Sequence, residues 1–62
     1  MARFSAAEKL ECVERELRLR RRVYPGRILA RRMSGAMAAR QIELMEEIVA
    51  DYEELAKGER LV

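Results

Sequence analysis

The sequence predicts an all-α helical hairpin that pairs with a second copy of itself, on three observations. The first is the block from Ala38 to Ala56. Wound at about 100° per residue, it places Ala38, Gln41, Ile42, Leu44, Met45, Ile48, Val49, Tyr52 and Leu55 on one arc, and Arg40, Glu43, Glu46, Glu47, Asp51, Glu53 and Glu54 on the other. The second is Pro25-Gly26, the turn chemistry that divides the chain. The third is size: at 62 residues with one cysteine and no histidine, the chain has neither an internal disulfide nor a Cys/His zinc site to supplement a small core. Oligomerisation is the remaining device.

The first helix is expected over about 5–23. Ser5-Ala-Ala-Glu8 has capping-box spacing, and Glu8, Glu11 and Glu14 lie early while arginines lie late, the order that complements the helix dipole. Its end is expected near Val23 or Tyr24, because the residue before a proline is pushed out of the α region. Pro25 to Arg31 then forms the elbow, with room for a short helix of one or two turns. Ser34 is the expected N-cap of a second helix over about 35–57, with Gly58 as its stop. The chain reads as one domain over 1–62, without repeats, low-complexity tracts or alternating strand patterns.

The apolar arc of the second helix spans roughly 160°, wider than the ~100° stripe that one neighbour covers. The first helix carries two stripes: Ala6, Leu10, Val13, Leu17 and Tyr24 on one line, and Cys12, Leu19 and Val23 on another. One stripe packs within the hairpin and the other is left over. A homodimer of hairpins in a four-helix arrangement is therefore expected, with Cys12, Leu19, Val23, Leu44, Ile48 and Leu55 as the candidate dimer or partner interface. The alternative is that Cys12 and Leu19 are scattered exposed residues or are covered by the 25–33 segment.

The net charge of +2 hides a polarity. Arg15 to Arg32 holds eight arginines and one acid, whereas Gln41 to Glu59 holds seven acids and one lysine, so one copy's basic elbow could face another's acidic tail. Arg18, Arg20, Arg21, Arg22, Arg27, Arg31 and Arg32 form the candidate anion or nucleic-acid patch, since guanidinium forks match phosphate oxygens and Tyr24 could stack on a base. The competing reading is structural: arginines stabilise a helix C-terminus and pair with Glu43, Glu46 and Glu47.

No catalytic, cofactor or metal site is expected. There is no histidine, Ser5 and Ser34 are used as caps, Cys12 has no imidazole to activate it, and the glutamates lie on a wet face. A Met33, Met37, Met45 and tyrosine groove is read as core filling. With no signal peptide or long apolar run, and an acidic polar face on the most amphipathic helix, a cytoplasmic protein with no membrane role is expected.

Glu16-Leu-Arg-Leu-Arg-Arg-Arg-Val-Tyr-Pro25, then Arg32-Met33-Ser34, Ile42-Glu-Leu-Met-Glu-Glu-Ile48 and Asp51-Tyr52, resembles a family of very small phage and prophage proteins of bacteria. The resemblance implies a helical hairpin of phage-type origin and carries over no catalytic or binding residue. In that pattern an aromatic follows the proline by two and a glycine precedes the Arg-Met pair; this chain has Arg27 and Arg31 there. The expected function is a non-enzymatic, self-associating protein-interaction module, of the accessory or host-modulating, inhibitor type in a phage setting. Protein is the favoured partner, and a nucleic-acid-binding factor acting through the arginine elbow is the alternative.

Overall fold

Two antiparallel helices, α1 (Ala6–Leu29) and α2 (Gly35–Arg60), pack along their length into a rod of 47 × 18 × 16 Å in the computed structural model, which describes residues 3–60. The capping box at the start of α1 is formed. The Glu8 amide donates to Ser5 Oγ at 3.1 Å, and Glu8 Oε1 accepts from the Ser5 amide at 3.5 Å. Two more amides of that first turn, Ala6 and Ala7, donate to the Glu59 carboxylate at 2.7 and 3.3 Å, so the end of α2 places a negative charge on the N-terminus of α1. Ser34 caps α2 by accepting from the Met37 amide at 3.0 Å. Replacement of Ser5 by alanine is expected to cost about 1 kcal/mol in urea denaturation.

The expected boundary at Val23 or Tyr24 is overturned: α1 continues through Pro25 and Gly26 to Leu29, and no separate short helix occupies the elbow. Proline deprives the helix of one hydrogen bond and disfavours the α region for Tyr24. Tertiary packing outweighs both, because Tyr24 is one of only two large side chains buried among the described residues and holds the helix against α2. The helix ends four residues beyond the proline. The Arg31 amide donates to the Ile28 carbonyl (3.0 Å) and the Arg32 amide to the Arg27 carbonyl (2.9 Å), the paired bonds of a Schellman motif, with Arg31 in the left-handed region at φ 57°.

Glycine is the usual occupant of that position, where a Cβ costs roughly 1 kcal/mol. Arg31→Gly is therefore expected to raise stability by up to about 1 kcal/mol, read as a higher urea midpoint. Gly58 does not end α2, which runs on to Arg60.

The helices meet along one seam. On α1 it is Ala6, Leu10, Val13, Leu17, Arg20 and Tyr24; on α2 it is Ala38, Ile42, Met45, Val49, Tyr52 and Ala56, and every member is buried or half-buried. Both series advance by alternating steps of four and three, the coiled-coil spacing that keeps a stripe facing its partner. Among the described residues only Ala6, Leu17, Tyr24, Ala38 and Ala56 are buried outright. Alanines at the ends let the backbones approach, but they contribute little apolar area, and the core of one chain is correspondingly thin.

Candidate functional site

The seam divides the hairpin into two broad faces. In an antiparallel pair the residues that follow seam positions fall on one side in both helices, and those that precede them fall on the other. The first face is charged: Glu14, Arg18, Arg21, Glu46 and Glu53 border a shallow groove on it, and Arg21 Nη2 bridges the helices to Glu46 Oε2 at 2.7 Å.

The second face carries Cys12, Glu16, Leu19 and Val23 from α1 and Met37, Gln41, Leu44, Ile48, Asp51 and Leu55 from α2. Its large apolar residues stand in solvent, Met37 at 56%, Leu44 at 42%, Ile48 at 37%, Leu55 at 57% and Leu19 at 41% exposed, with Val23 half-buried and Cys12 a free, exposed thiol. All six residues predicted as an interface thus lie on one face. Met37, read from sequence as core filling, belongs to that face as well. Phe4 was missed: it sits just before the N-cap, 53% exposed, beside Lys9 and Cys12, with the Arg3 guanidinium 5.3 Å from its ring centroid. Its position before the cap is the sequence signal, but the residue it would staple to is Lys9, so it gains no apolar partner within α1.

The area at stake is large. One chain exposes 5292 Å², whereas a compact monomer of its mass, 7.2 kDa, exposes about 4,100 Å². The excess of roughly 1,200 Å² exceeds the ~800 Å² that each partner buries in a standard protein interface.

The arginines do not converge on one site. Arg20 Nη1 is bound to Glu16 Oε2 at 2.7 Å, and Arg21 to Glu46. The hydrogen bond that Arg20 donates to Glu16 holds the guanidinium above its ordinary pKa, against the opposing effect of desolvation, and Tyr24 adds to the rise. Arg18 and Arg22 join Arg15 along a shallow groove on the outward side of α1, flanked by Glu16 and Leu19. Arg27 lies by Val23 and Tyr24, and Arg31 and Arg32 are exposed in the elbow. Among the described residues Glu46 is ion-paired across the helices as the structural reading expected, whereas Glu43 and Glu47 form no ion pair.

Among the described residues no cluster of three or more Cys, Asp or Glu side chains is placed to hold a metal ion. No described helix is long and apolar enough to cross a membrane. Compared with protein-family models, with curated proteins and with solved structures, the chain matches none, so the functional reading rests on the residues and their geometry.

Proposed function

We propose that this protein is a non-enzymatic interaction module whose working unit is a homodimer, formed by burying the face of Cys12, Leu19, Val23, Leu44, Ile48 and Leu55, extended by Met37 and Phe4. The observation that carries the reading is the imbalance between what the chain buries and what it exposes. Among the described residues two large side chains, Leu17 and Tyr24, are buried, while eight large hydrophobic residues stand exposed. A phage-type accessory or host-modulating role, exercised in the cytoplasm on a protein partner, is supported by the sequence resemblance and the lone thiol. The test of the dimer is the concentration dependence of thermal unfolding. If folding is coupled to association, the midpoint rises with protein concentration; a midpoint that stays constant over a hundredfold range contradicts it.

A second reading, nucleic-acid binding, is favoured by one observation: Arg15, Arg18 and Arg22 line one outward groove of α1, and no ion pair engages them among the described residues. Replacing those three by glutamine is expected to abolish any DNA binding, and wild-type binding would fall steeply between 50 and 200 mM salt. Binding that ignores salt would argue against this reading.

A further inference from the structure

We infer that the second copy docks antiparallel, with the two-fold axis crossing α2 at the level of Glu46; the inference rests on the self-association reading above. Two face-to-face arrangements of identical hairpins have a two-fold axis. In one, the axis runs along the rod, the elbows lie at the same end, and α2 of each copy covers α1 of the other. In the other, the axis crosses the rod, the elbows lie at opposite ends, and α2 covers α2.

The spacing of the exposed residues on α2 selects the second arrangement. Met37 and Leu55 lie nine residues to either side of Glu46, and Leu44 and Ile48 lie two residues to either side. A two-fold axis at that level therefore sets Leu44 against Ile48 and Met37 against Leu55 of the second copy, so that all four apolar residues meet apolar residues. Glu46 itself projects from the other broad face, where it is paired with Arg21, so α2 drives no carboxylate into the contact at the axis; Glu16, at the same level on α1, enters it already paired with Arg20. Because Glu46 is close to the middle of α2 (Gly35–Arg60), the two rods overlap along nearly their whole length. The alternative arrangement lays Leu44 and Ile48 on α1, whose matching strip is interrupted by the Glu16–Arg20 ion pair.

Charge selects the same arrangement. Residues 15–46, the elbow half of the rod, carry nine arginines and three glutamates, a side-chain charge of +6; the remaining residues carry −4. Elbows at the same end stack +6 upon +6. Elbows at opposite ends lay each +6 half along a −4 half. Complementary halves favour the encounter and fix its direction. On α1 the same axis lays the first turns, with Glu8 and Glu11, along the arginine-rich second half of the other copy's α1.

The test uses two chains in a Cys12→Ser background, one carrying Met37→Cys and the other Leu55→Cys, both at exposed positions where hairpin packing is undisturbed. These positions lie about 27 Å apart along one helix, so in the antiparallel pair neither cysteine meets its own counterpart. Under mild oxidation the mixture is expected to give a covalent heterodimer by mass spectrometry, with neither chain dimerising covalently alone. A nitroxide on the Met37→Cys chain should also report an inter-copy distance of about 27 Å or more by pulsed electron resonance. Absence of the covalent heterodimer, or a spin-label distance under ~15 Å between Met37→Cys chains, would overturn the inference while leaving self-association intact, the short distance meaning elbows at the same end. Monomeric mass of the unmodified protein in light scattering would overturn the self-association reading and this inference with it.

Discussion

Leu17→Ala is expected to unfold most of the protein at 37 °C. Leu17 is 7% exposed at the middle of the seam, and with Tyr24 it supplies the large-side-chain burial of a single chain. Truncating a buried leucine to alanine costs about 2–5 kcal/mol, the loss of transfer free energy plus the cavity left behind. A chain of this length has a total stability of only roughly 3–9 kcal/mol. The substitution therefore removes a large fraction of the total, and the thermal midpoint followed by circular dichroism should fall by at least ~10 °C. Leu29→Ala is the matched comparison, because that leucine is 86% exposed at the C-terminal end of α1 and its truncation should move the midpoint little. Equal effects of the two substitutions would mean that the seam does not hold the fold.

The second large effect is expected on association. Leu44→Asp combined with Ile48→Asp should convert the dimer to a monomer, because in the antiparallel arrangement these residues lie against each other at the two-fold axis and the substitutions bring four carboxylates together there. Both side chains are already part-exposed in the single chain, so the intrachain seam is left in place. Glu14→Gln with Glu53→Gln, on the charged face, should leave the mass unchanged. Sedimentation velocity at matched concentrations distinguishes the two double variants. A dimer that survives the aspartates places the interface elsewhere on the molecule.

Much of this architecture is legible in the sequence because the determinants are local. The capping box at Ser5 and Glu8, the cap at Ser34 and the arc of α2 need only short-range spacing, and each is present in the structure. The two-stripe pattern of α1 likewise separates Leu17 and Tyr24, which are buried, from Cys12 and Leu19, which are exposed. What escaped depends on contacts distant in sequence or on unusual backbone. Pro25 is a strong local stop signal, yet burial of Tyr24 against α2 carries the helix past it. Arg31 gives no sign in its residue type of the left-handed conformation that ends α1. Glu59 reaches the first turn of α1 from 53 residues away, a partnership that only the closed hairpin defines. The arginine cluster is contiguous in sequence, but helical winding distributes it between two ion pairs, an outward groove and the elbow.

The face of Leu19, Val23, Met37, Leu44, Ile48 and Leu55 is the element on which the functional account turns. It is apolar where the opposite face is charged, and the chain as a whole exposes roughly 1,200 Å² more than a compact monomer of its mass. The most direct measurement is the mass of the unmodified protein in solution by multi-angle light scattering at ~0.15 M salt, where the Debye length is about 8 Å and long-range charge effects are screened. The account expects twice the 7.2 kDa of one chain. A mass of 7.2 kDa, unchanged up to the highest concentration reached, would contradict it.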